Sequence, residues 1–352
     1  ETKQRSNGMK RFFILFVGLM ILLAGTAFAE ESTLIDFSEL TPNWPPDDPR
    51  ENEETLIDVS AEAAGTLYTE EELQQMRTSL AIQNWEVVLN SSSRFAETQR
   101  LSEIQPAPVN QDANRFAGDT VLGVRVNFPD QPYNGWALVR PPFEIPAYAN
   151  PTQVDGEGNI EPADEGEAGS KFNSKGVVKN VGTLRSLALN AYGLNFPHGV
   201  SVVLQDQNNE QEEIFLGYLD FEGWRTMVWD NPNYLEQVRD RELRTFPLYP
   251  NLQPMRKLIG IRIYRDAAMP GGDFITYIKD VQMKYDLATL EIQRDIDDEQ
   301  VWGILQERER ERREAEFRRL GNLQVLRYLE RQKIDQSGDQ FDQEDEEEGG
   351  EE

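Results

Sequence analysis

"NAYGLNFPHGVSVVLQDQNNEQEEIFLGYLDFEGWRTMVWD" runs from Asn190 to Asp230. Apolar and polar residues alternate with period two, and the alternation breaks at Asn195-Phe196-Pro197-His198-Gly199, at Asp206-Gln207-Asn208-Asn209 and at Asp220 to Gly223. Period-two runs of this length, separated by turn residues, read as short antiparallel strands. The last run raises a question of facing. Trp224, Thr226 and Val228 form one alternate set, and Arg225, Met227 and Trp229 form the other. Both sets carry apolar side chains, so the strand has no clean wet face, and one aromatic set must look toward a partner, a loop or a second layer.

The same pattern extends outward. "WEVVLN", "TVLGVRVNF", "WALVRP", "KGVVKNVGTLRSLALNAYGLN", "LIGIRIYRD" and "YIKDVQMKYD" read as further strands between Pro, Gly and Asn. No strand–helix alternation is present. The fold expected over residues 85–286 is therefore mainly β, an antiparallel sandwich or barrel. Residues 30–84 read as an extended lead-in, with a short helix near Glu70–Leu80 started by a capping box at Thr69 and Glu72. Residues 141–173 are rich in Gly, Glu and Pro and read as a solvated loop. Residues 287–334 lack Pro and are rich in Glu, Arg and Leu, which predicts a charged helix. Phe317, Leu320, Leu323 and Leu326 on it suit equally a seat on the sandwich or on a partner. Residues 335–352 read as a disordered acidic tail.

The 352 residues include no cysteine and carry a formal charge of −28. Disulfides and thiolate chemistry are excluded, and nucleic-acid phosphates repel such a chain. Near the N-terminus, Lys10 and Arg11 precede an apolar run from Phe12 to Leu23, then Ala27-Phe28-Ala29. This is the layout of a cleaved export signal with the cut before Glu30, the first 29 residues being extension and signal. The apolar run is short for a spanning helix, so no stable membrane anchor is expected after cleavage.

Chemistry-bearing constellations are missing. The single histidine, His198, sits in a turn between Pro197 and Gly199 and reads as structural. No nucleophile elbow, P-loop, zinc-protease or EF-hand pattern occurs. Asp155, Glu157 and Asp164 offer oxygen ligands at spacings that match no calcium loop. No catalytic residue, cofactor or metal site is assigned, and the chain is read as a non-enzyme.

Two resemblances add to this. The Asn190–Asp230 stretch is similar to the central strands of galactose-binding-type jelly rolls. That resemblance implies that Trp224 of the Gly223-Trp224 pair packs inside, as a core signature, leaving Trp229 for exposure. More specifically, "NWEVVLNSSSRF", "GWALVRPPFEIPAY", "KFNSKGVVKNVGTLRSLALNAYGLNFPHGVSVVLQD", "LGYLDFEGWRTMVWDNPNY" and "GIRIYRD" resemble the spirochaete periplasmic flagellar filament outer-layer (sheath) proteins. The resemblance implies a noncatalytic, periplasmic coat on a flagellin core, with flagellin and other copies of itself as partners. It implies a contribution to filament stiffness, shape and motility. Phe196, Trp229 and Tyr234 are the expected partner or glycan contacts. The alternative reading is a periplasmic carbohydrate-binding module.

Overall fold

The period-two segments form two antiparallel sheets packed face to face. The computed structural model describes residues 29–42, 52, 55–63, 67–147, 152–154, 160–162, 172, 175–234, 254–288 and 301–348. In chain order the strands are β1 (Ala29–Asp36), β2 (Ile57–Asp58), β3 (Arg77–Thr78), β4 (Glu86–Leu89), β5 (Glu103–Pro108), β6 (Thr120–Phe128), β7 (Gly135–Arg140), β8 (Thr152–Val154), β9 (Ile160–Pro162), β10 (Val177–Lys179), β11 (Val181–Leu194), β12 (Gly199–Asp206), β13 (Gln211–Tyr218), β14 (Glu222–Asp230), β15 (Met255–Arg265) and β16 (Gly272–Leu287). The helices are α1 (Glu70–Gln75), α2 (Ala96–Leu101) and α3 (Ile304–Glu348).

The first sheet has the order β14-β11-β16-β6-β5, and β1 also pairs with β16. The second has the order β13-β12-β15-β7-β4, and β10 also pairs with β15. One edge of β16 thus serves two partners, β6 along Gly272–Ile278 and β1 along Asp280–Asp286. Leu187, Leu189, Val281 and Met283 of the first sheet meet Val200, Val202, Ile261 and Ile263 of the second in one dry core. The expected mainly β, jelly-roll-like sandwich is what forms.

Several segments do more than their composition announced. The lead-in is not merely extended. β1 joins the first sheet, and Leu34, Ile35, Phe37, Leu40, Ile57 and Val59 are buried in the common core. The capping box forms, with the Thr69 N–H donating to Glu72 Oε2 at 2.7 Å and the Glu72 N–H to Thr69 Oγ1 at 3.3 Å. Its helix stops at Gln75, short of Leu80, because Arg77–Thr78 is taken up in the β2–β3 pair. β5 carries Pro106 and Pro108 and escaped the strand pattern. It is the edge strand of its sheet, where a missing N–H is tolerated.

The insertion begins and ends in the core rather than in solvent. Phe143, Ile145 and Phe172 are buried, and the Phe143 and Phe172 rings meet edge to face at 5.5 Å. Asp155, Glu157 and Asp164 lie outside the described residues, as do residues 1–28 with Ala27.

The C-terminal helix runs to Glu348, so the acidic stretch from 335, expected to be disordered, continues it as far as the described residues extend. No Pro interrupts it, and Glu and Gln favour a helix. Gly303, at φ +58°, breaks the chain just before it starts. A three-residue step drifts about 60° backward per repeat around a 3.6-residue helix. Phe317 and Leu320 therefore face the body, while Leu323 and Leu326 have rotated out and are exposed. The seated face is Phe317, Leu320, Gln324, Val325 and Tyr328, at the spacing a helix requires.

His198 is part of the core. It is 3% exposed, with its ring stacked on Phe128 at 5.3 Å and tilted against Phe274 at 4.6 Å. Neither ring nitrogen has a hydrogen-bond partner among the described residues. Burial, with repulsion from the Arg265 guanidinium added, lowers its pKa to about 4. The folded state holds the ring neutral, whereas the unfolded chain protonates near the ordinary histidine value.

Two outcomes follow from this packing. Ile35→Ala should cost about 2–4 kcal/mol in urea unfolding, because Ile35 is 1% exposed in the joint core. A loose lead-in would lose almost nothing. Stability should be full above pH 6.5 and fall by about 3 kcal/mol as pH drops toward 4, since the unfolded state alone gains the His198 proton in that window. Unfolding curves at pH 7 and pH 4.5, compared with those of His198→Leu, isolate this slope. The variant should show the shallower fall.

Candidate functional site: an aromatic row on the outer face of the first sheet

Pairing between β14 and β11 decides which tryptophan faces out. Leu187 lies opposite Trp229, Leu189 opposite Met227 and Tyr192 opposite Trp224. Directly opposed residues share a face. Leu187 and Leu189 are fully buried between the sheets, so Met227 and Trp229 point inward with them. Trp224, Thr226 and Val228 point outward. The expected assignment is therefore reversed. Trp229 is half-buried and packed against the core, while Trp224 lies half-exposed on the outer surface. Gly223, at φ +90°, would place an added Cβ in open space, so its backbone conformation and not close packing calls for glycine.

The outward face carries a row of rings. Trp224 opposes Tyr192, Tyr192 opposes Tyr277, and Tyr277 opposes Gly123 across β14, β11, β16 and β6. The Trp224 and Tyr192 rings are 5.4 Å apart, and Tyr192 and Tyr277 are 5.9 Å apart, both edge to face. A Cβ at Gly123 would sit 2.9 Å from the Gln105 carbonyl oxygen and 3.4 Å from the Tyr277 ring, so the glycine clears the end of the row. At the other end, Phe116 comes from the loop between β5 and β6 and meets Trp224 edge to face at 4.9 Å. Phe116 adopts φ +57°, an uncommon conformation for a bulky residue.

That loop is fastened across the sheet by polar contacts. Arg115 Nη2 donates to Asn190 Oδ1 and to Thr226 Oγ1, both at 3.1 Å. The Thr226 hydroxyl donates to Asn190 Oδ1 at 2.6 Å, and Asn190 Nδ2 donates to Asp280 Oδ1 at 2.7 Å. Burial pushes the Asp280 carboxyl above the ordinary range despite that hydrogen bond. Nearby, the buried Lys279 ammonium contacts Asp36, and lies 2.8 Å from Ser38 Oγ and 3.7 Å from Asp119. Burial opposes ionisation of Asp36, but hydrogen bonds from Lys279 and Ser38 prevail and hold its pKa low. The arrangement is suited to adhesion. It offers ring faces and edges beside anchored hydrogen-bonding groups.

The residues singled out in the sequence do not converge. Phe196 is half-buried against Phe274, with ring centroids 5.3 Å apart. Tyr234 donates its hydroxyl to Asp286 Oδ2 at 2.9 Å, and the Arg185 guanidinium lies 4.5 Å from its ring centroid. Phe196 follows the end of β11, whereas Tyr234 sits beside the start of that strand, so the 14-residue length of β11 separates them. Ala29 and Glu30 open β1, opposite Asp286 and Tyr285. Among the described residues, no three metal-ligating side chains cluster. Sequence reasoning missed Phe116, Tyr192 and Tyr277. The signal available was the β11 alternation, in which Leu187, Leu189 and Ala191 share one parity and Tyr192 takes the other.

A family model described as flagellar filament outer layer protein Flaa matches residues 49–294. The chain is 44% identical over 335 residues to a flagellar filament outer layer protein of Spirochaeta aurantia, covering 95% of this chain and 96% of that protein. It is 45% identical over 334 residues to a protein of the same name from Treponema pallidum (strain Nichols), covering 93% and 95% respectively. Among solved structures, it is similar to a β-sandwich carbohydrate-binding module at TM-score 0.28 and 8% identity, covering 57% of each chain. The chain belongs to the flagellar filament outer layer protein family.

Proposed function

We propose that this protein is a noncatalytic structural component that coats the flagellin core of a periplasmic flagellar filament. In this reading the outer face of the first sheet makes the contact. The observation that carries it is the row Phe116, Trp224, Tyr192 and Tyr277, a partly exposed aromatic strip spanning three strands and a loop on the outer face of the first sheet. Family membership supplies the setting, a filament outer layer. A coat protein meets its polymer many times, so individually weak contacts accumulate along the filament. A layer docked this way adds bending stiffness to the core and biases its shape. Export through a signal cut after Ala29 fits this placement, leaving Glu30 at the head of β1.

Co-sedimentation of the mature protein with stripped filament cores, beside a glycan panel, tests the reading. Wild-type protein should pellet with cores. Binding to glycans alone would favour a carbohydrate-binding module instead. Trp224→Ala should remain folded and lose about 1–2 kcal/mol, from its edge-to-face contacts with Phe116 and Tyr192, yet pellet poorly. Trp229→Ala should behave oppositely, losing about 2–3 kcal/mol of stability from the core side. Normal pelleting by a folded Trp224→Ala protein removes this face from consideration.

A further inference from the structure

The chain is strongly acidic, but the seam where α3 crosses the edge of the second sheet is rich in cations. Glu86 of β4 receives Arg140 at 2.9 Å, Arg331 at 3.3 Å and Arg327 at 3.6 Å. Glu144 receives Arg319 at 2.9 Å and also the buried Lys257. Glu330 lies near enough to Arg327 to act on its charge. Around Glu86 and Glu144 five cations therefore face three carboxylates, while Glu62 against Gly321 and Glu72 beside Gln332 flank the seam. Arg327 is crowded further, because its Nη1 is buried without a hydrogen-bond partner among the described residues. Its pKa is lowered by burial and by repulsion from Arg140 and Arg331. The Arg319 and Arg331 side chains are 51% and 61% exposed, so the seam is open to an anion.

The complement lies at the other end of the same helix. Residues 334–352 hold ten Asp and Glu and no Lys or Arg. As far as Glu348, this end does not fold back onto its own seam. The backbone is helical to Glu348, and at 1.5 Å per residue that carries the acidic turns about 12–25 Å beyond Arg331.

We propose that the seam binds the acidic helix end of a second copy of this chain. Donor and acceptor are different surfaces, so the contact is head-to-tail. Unless the rotation closes a ring, it propagates as an open array. The proposal does not depend on what the aromatic row binds. It supplies a lateral contact, which an isolated docking face lacks.

Sedimentation velocity of the mature full-length chain tests it, using three proteins. One is wild type. The second carries Arg319→Gln and Arg331→Gln. The third carries the amide at Asp342, Glu344, Asp345, Glu346, Glu347 and Glu348. Wild type should self-associate with rising concentration at low salt, and dissociate at about 0.5 M salt, where charge interactions are screened over a few Å. Each variant alone should associate at least about tenfold more weakly. An equimolar mixture should recover hetero-association, because one variant retains the tail and the other the seam. Thermal unfolding verifies that the arginine variant is folded. If wild type stays monomeric, if the amide variant assembles like wild type, or if the mixture of folded variants stays monomeric while wild type assembles, the proposal is overturned.

Discussion

Pairing of β16 along both edges is the constraint on which the first sheet rests. β11 runs along one side for nearly its whole length, while β6 and β1 divide the other. This arrangement fixes which face each strand of that layer presents. Once Leu189 and Val281 are opposed and face inward, Tyr192 faces outward, and the bulge at Lys279 brings Tyr277 opposite it on the same face, while β14 inherits its facing from β11. A one-residue slip would send the core leucines into water and bring the ring row inside. The burial of Leu187, Leu189, Val281 and Met283 opposes that slip and thereby maintains the outer face. Core and surface are two readings of one register.

Strands with clean alternation were legible because β propensity, turn residues and period agreed. β7 is the clearest example, while β12, buried on both faces, was legible from its apolar run between turn residues. β1 was not, since "AEESTLID" is mostly polar until its last residues and follows a hydrophobic export-like run. Proline hid β5, although the edge position explains it. The candidate site was less legible. Trp224 and Trp229 have the same composition-level signature, and only long-range pairing to Leu187 distinguishes them. The local strand lacked that information. Phe116 was invisible for a similar reason: nothing within its loop announces contact with a residue more than a hundred positions away.

The helix illustrates the same limit with a different period. Leucines at a three-residue step suggest a stripe, but rotation around the axis distributes them over opposite sides. Tyr328 completes the true face by meeting Tyr68, 6.2 Å away, in the segment before α1. Gly321 permits close approach, since an added Cβ would overlap the Glu62 side chain. Helix and lead-in consequently pack together, and Arg327 and Arg331 tie the helix to Glu86 at the β4 edge.

The pairing of β1 with β16 has a consequence for biosynthesis. These partners lie near opposite ends of the sequence, Ala29 opposite Asp286. A nascent chain that has not yet supplied β16 has no partner strand for β1, and leaves β6 with β5 alone and β11 with β14 alone. The sandwich therefore cannot close progressively as the ribosome advances. It condenses late and nearly at once, leaving the growing polypeptide dependent on holding factors until almost all of it has been made.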